Sequence, residues 1–162
     1  MENIVFVNSL RNNFFMSFTM LEKIIEICPN ELWNSKKSGF IFWQQLLHAF
    51  TGMQFWLREE NTSFVEPFME KKAYPELDGE PENNLSKDDI KKCCDDSKTM
   101  GRKWFDGKDD SWLKATSKIY EKIINLDVMI MQIRHIMYHV GHFEAIFREN
   151  EIETGEYKDF GE

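Results

Sequence analysis

The sequence predicts an all-α protein, a four-helix bundle with a long crossover between its second and third helices. Three observations predict it. Apolar residues recur at helical spacing through four long segments. No stretch of any length alternates apolar and polar residues as a strand does. One connection, residues 59–85, is too long and irregular for a simple turn between neighbouring helices. With only 4 Pro and 8 Gly, the chain has few interruptions to long helices.

The first helix is expected over residues 2–28, where Leu10, Phe14, Phe18, Leu21 and Ile25 share a side. Pro29 ends it. The stretch NSKKSG at 34–39 is a polar connection with a glycine stop. The second helix, FIFWQQLLHAFTGMQFWLR at 40–58, is apolar around most of its circumference, which implies deep burial. The crossover follows, with Pro67, Pro75, Gly79, Pro81 and many acids. Ser86 can cap the free amides of a third helix over 87–105, and Asp89 suits its positive end. Gly107 marks a turn, and Ser111 opens a short helix holding Trp112, Leu113 and Tyr120. Asn125 caps the last long helix, 126–150. Residues 1–150 thus form one domain. The segment EIETGEYKDFGE at 151–162 lacks apolar periodicity and reads as a flexible acidic tail.

Composition narrows the function classes. The net charge is −8. Residues 59–96 hold twelve Asp/Glu against five Lys/Arg, so this stretch alone carries −7. Such a surface repels phosphate backbones, and nucleic acid is not an expected partner. The three cysteines are odd in number and two are adjacent, which argues against a disulfide framework and for a reduced, cytoplasmic setting. Cys93 and Cys94, in KKCCDDS, read as helix surface. Neither a signal peptide nor a run of about 18 apolar residues is visible, so no membrane partner is expected. The 14 Phe and 5 Trp need a packed interior or a pocket.

Chemistry gathers at QIRHIMYHVGHFEAIFREN, residues 132–150, which contains three of the four histidines. With Leu126 at zero on a helical wheel, His135, His139 and His142 fall at about 180°, 220° and 160°, beside Val128 and Ile146 at about 200°. Asp127, Arg134, Gly141 and Arg148 lie between about 40° and 100°, and Glu144 near 0°. Three imidazoles therefore point inward. His135 and His139, four residues apart, can converge on one ion. His142 can join them or support them from behind. The fourth histidine, His48, sits mid-way along the second helix beside Gln44, Thr51, Ile41 and Phe55. One histidine from that helix and two from the last would give three ligands and leave a position for water or substrate. The competing reading is a set of buried histidines that satisfy one another and Gln44.

HAFTGMQFW in the second helix, the acidic crossover, and QIRHIMYHVGHFEAIFRE in the last helix together resemble the DinB superfamily, which includes the YfiT-like hydrolases. The resemblance covers the order and spacing of the four main helices. It implies a bundle with the long link between helices two and three. It also implies a divalent metal on His48, His135 and His139, with zinc or nickel the foremost candidates and iron or copper compatible with imidazole. It does not carry His142 over as a ligand. Gly141 matches a family glycine, where the resemblance implies no room for a side chain.

The reaction is left open. The resemblance implies a metal-dependent hydrolase or a thiol S-transferase, acting on a small molecule or a low-molecular-weight thiol, with no catalytic side chain assigned. Trp43, Phe55, Trp56 and Tyr138 are candidates to line its pocket. The alternative is a non-catalytic, metal-stabilised bundle that pairs as a homodimeric interaction module. Serine or cysteine catalysis is disfavoured: no G-x-S-x-G occurs, and Cys28 has no histidine nearby in sequence.

Overall fold

Helix α1 (Val5–Ile27) buries Phe14, Phe18, Leu21 and Ile25, four of the five residues that marked it in the sequence. The structure, a computed structural model, describes residues 4–37 and 39–159. After Cys28 and Pro29 come the one-turn helix α2 (Asn30–Trp33), strands β1 (Lys36–Lys37) and β2 (Phe40–Ile41), and α3 (Phe42–Trp56). The crossover holds a 3-10 turn at Met69–Lys71 and leads to α4 (Lys87–Phe105). A second 3-10 turn at Trp112–Lys114 precedes α5 (Asn125–Glu149).

The expected all-α four-helix bundle is therefore overturned. Among the described residues there are five α-helices and a small antiparallel hairpin, with Lys36 paired to Ile41 and Lys37 to Phe40. The segment read as a polar connection is where the hairpin lies. Gly39, at φ +97°, takes a backbone conformation open mainly to glycine. The Phe42 amide donates to the Ser35 carbonyl at 3.1 Å. Two-residue strands are too short to show alternation, so periodicity could not reveal them. Helix α2 is anchored by Trp33, whose indole N–H donates to the Leu85 carbonyl at 2.8 Å.

Helix α1 packs along α5 and α4, and α3 packs along α4 and α5. Phe50, Leu46 and Leu47 of α3 meet Phe14 and Phe18 of α1 and Phe143 and Phe147 of α5 in one core. The approach of α1 to α4 depends on Gly101, where an added Cβ would stand 2.7 Å from the Phe14 ring. Helix α4 starts as the sequence indicated. The Asp89 amide donates to Ser86 Oγ at 3.1 Å, and the Ser86 amide donates to Asp89 Oδ2 at 2.9 Å.

Three local expectations fail. Cys93 and Cys94 are buried, not on the helix surface. Cys93 faces α3, where Gln54 Nε2 donates to the Cys93 carbonyl at 3.2 Å and to Ser97 Oγ at 3.1 Å. Asn125 does not cap α5; it is the first helical residue, and its Nδ2 donates to the Trp112 carbonyl at 3.0 Å. Asp127 takes the terminal role instead, accepting from the Ile124 amide at 3.1 Å. The helix expected after Ser111 shrinks to one 3-10 turn, followed by a bridge between Thr116 and Ile124. No helix among the described residues is long and apolar enough to cross a membrane.

Candidate metal centre

Helices α3 and α5 lie side by side, and each presents histidine to the other. His48 is carried by α3, between buried Leu47 and Ala49. His135 and His139 come from successive turns of α5. His135 Nε2 lies 3.4 Å from His48 Nε2 and 3.0 Å from His139 Nε2. One ligand nitrogen from each of the three rings lies within 4.8 Å of the others. Three nitrogens about 2.0–2.1 Å from a tetrahedral ion stand about 3.3 Å apart. The spacing therefore suits a shared ion.

The surroundings prepare the nitrogens for one. His48 Nδ1 lies 2.8 Å from the Pro75 carbonyl, which only accepts, so in the neutral ring Nδ1 carries the proton and Nε2 keeps its lone pair. Burial, and secondarily His48, pushes the His135 pKa down from 6.5 to about 4. Burial, with the other three histidines adding to it, pushes His139 down to about 3. Both rings are thus neutral near pH 7, the state a metal ligand needs. A neutral trio has at most two Nε2 protons left to arrange between three facing nitrogens, because His48 holds its own on Nδ1. A divalent cation would resolve that crowding and the clustered lone pairs.

His142 stays outside the cluster, half-buried beside Phe143. The wheel explains why. The buried face of α5 centres on Gln132, Ile136 and Phe143, at about 240–280° on the scale used above. His139 stands at the edge of that face, His135 further out, and His142 furthest. The expectation that all three point inward is corrected to two. Gly141 is corrected too: it is exposed, and an added Cβ would meet nothing within 4 Å. The glycine that matters is Gly52, on α3, where a Cβ would lie 3.0 Å from His135 Cε1.

The cluster opens onto a cavity of about 690 Å³, with His48 and His135 in its wall. Phe55, Trp56 and Tyr138 line it as expected. Trp43 does not; it is fully buried in the core. Three polar residues of this cavity carry no signal in the sequence: Glu76, Arg134 and Gln132. Glu76 was one acid among twelve in its stretch, distinguished only by following Pro75. Arg134 was placed on the solvent face, and it is indeed exposed while bordering the cavity. Gln132 is 1% exposed and its Oε1 has no hydrogen-bond partner.

The crossover is stitched to α3 beside the site. Gln44 Nε2 donates to the Tyr74 and Gly79 carbonyls, each at 2.9 Å, and lies 3.3 Å from that of Ala73. Gln44 thus holds the strap that supplies Pro75 to His48 and Glu76 to the cavity. Compared with known proteins, the chain matches no protein-family model, no curated protein and no solved structure.

Proposed function

We propose that this protein is a divalent-metal enzyme of the DinB type, acting on a small molecule by hydrolysis or by transfer of a thiol. The observation that carries the reading is the convergence of His48, His135 and His139 beside an open cavity of about 690 Å³. Closed structural zinc sites use four protein ligands, whereas catalytic sites use three and leave a position free. Three histidines beside a cavity favour the catalytic form over a purely structural tie.

His48, His135 and His139 would hold a divalent ion, which would supply Lewis acidity to the cavity. The protein's own groups do the rest. Pro75 fixes the His48 tautomer. Glu76 is the one carboxylate lining the cavity among the described residues, and it would accept a proton there. Gln132 lines the cavity and keeps its buried Oε1 without a hydrogen-bond partner, a polar group that a shift of its side chain would bring to a bound molecule. Phe55, Trp56 and Tyr138 offer apolar and aromatic surface to its body.

The test is a panel of chromogenic esters, amides and phosphates, together with transfer of small thiols to an aromatic electrophile. Metal-loaded protein should turn over at least one class. Chelator-stripped protein should lose that activity and regain it on reloading. Glu76→Gln should lower kcat with the metal still bound. Equal turnover with and without metal would defeat the reading.

A further inference from the structure

A second cavity, about 360 Å³, shares Trp56 with the cavity beside the histidines but contains none of the histidines in its lining. Its chemistry is unlike the rest of this acidic chain. Lys103, Lys108, Lys118 and Arg58 line it, against a single acid, Glu59. The local balance is +4 − 1 = +3 on a protein whose net charge is −8. None of the salt bridges among the described residues engages the three lysines. Arg58 is already occupied: its Nε donates to the Phe55 carbonyl at 2.9 Å, and its guanidinium lies 4.3 Å from the Phe55 ring centroid.

Three of the five tryptophans line the same cavity: Trp56, Trp104 and Trp112. Trp104 and Trp112 meet edge to face, with centroids 4.2 Å apart, which gives the wall a fixed aromatic corner. Polar groups at the base are buried and held in place. Asn125 is fixed by its bond to the Trp112 carbonyl. Ser117, 6% exposed, accepts from the Ile119 amide at 3.2 Å, so its own hydroxyl proton remains available to donate.

The geometry points to a binding site for a small organic anion with a flat apolar body, separate from the metal centre. The indoles take the planar body. The lysines, with the Ser117 hydroxyl, take a carboxylate or phosphate head. Lys108, whose Nζ is 5.8 Å from the Trp112 ring centroid, stands where head and body would meet. Nothing in this assignment depends on metal at the histidines.

Calorimetric titration of the protein as purified tests it with three probes: 1-naphthoate, the neutral 1-naphthalenemethanol, and inorganic phosphate. Naphthoate should bind at least about tenfold more tightly than either the uncharged ring or the ringless anion, and should weaken with added salt. Lys103→Gln combined with Lys108→Gln should weaken naphthoate about tenfold or more, while leaving the histidine site's metal content unchanged. Trp112→Leu should weaken naphthoate and naphthalenemethanol alike. His139→Ala should leave naphthoate binding intact. Equal affinity for the charged and neutral rings would overturn the assignment. So would naphthoate binding that survives the lysine changes, or that is lost in His139→Ala, which would put the anion on the metal.

Discussion

Gly52 is where a single hydrogen atom decides the shape of the site. A methyl group there would stand 3.0 Å from His135 Cε1, tighter than ordinary contact, so the ring must shift. Alanine is also a better helix former than glycine by about 1 kcal/mol. Gly52→Ala is therefore expected to leave the metal-free protein as stable or more so, while weakening metal binding about tenfold or more. Circular-dichroism melts and competitive metal titration check the two halves separately. Protonation acts on the same rings. In the unfolded chain His135 and His139 return to about 6.5, whereas in the fold burial holds them at about 4 and about 3. Between those values the unfolded state binds more protons, so stability rises with pH across this window. Metal-free protein should therefore lose stability as pH falls from about 6.5 toward 4, and urea midpoints at a series of pH values measure it. A midpoint that does not move between pH 7 and 5 would mean that these rings are not buried neutral.

At the scale of elements, α3 and α4 are joined through groups that the sequence concealed. Burial pushes the Cys28 and Cys93 thiols up to about 12, and Cys94 higher still. All three cysteines are at most 2% exposed. Thiolate is the reactive form, so the native protein should resist iodoacetamide at pH 8, and denaturant should release all three sites. Fast labelling of Cys93 in native protein would contradict the packing of α4 on α3. KKCCDDS misled because its charges flank the buried pair, and four charged neighbours outweigh two small residues in any local reading. Long-period signals were safer. The spans of α1, α3, α4 and α5 follow from apolar spacing and, for α4, from the Ser86–Asp89 box. The hairpin at Lys36–Ile41 and the single turn at Trp112–Lys114 are too short to have a period. The three-histidine cluster was legible because histidines are scarce, two of its members are spaced for one face of α5, and the third lies mid-way along α3. Glu76, Gln132 and Gly52 were not, since each reaches the site through tertiary packing alone.

Across the whole molecule, the three histidines join α3 to α5, and His48 joins both to the crossover through Pro75. An ion bound there exists only in the folded state, so its binding energy adds to stability by mass action. At a free metal concentration 100 times Kd the gain is about 2.7 kcal/mol. For a chain of this length that corresponds to a rise in Tm of about 5–10 °C. Melts with and without chelator test the tie. An unchanged midpoint, with metal shown to be bound in one sample and absent from the other, would place the ion where it links nothing.

His48, His135 and His139 are proposed to hold one divalent ion. This is tested most directly by elemental analysis of untagged, desalted protein beside two variants. The account predicts about one ion per chain in the unsubstituted protein, loss of that ion in folded His139→Ala, and its retention in His142→Ala, because His142 lies outside the cluster. Equal loss in both variants would make His142 a ligand. Full retention in His139→Ala would put the ion elsewhere and contradict the account.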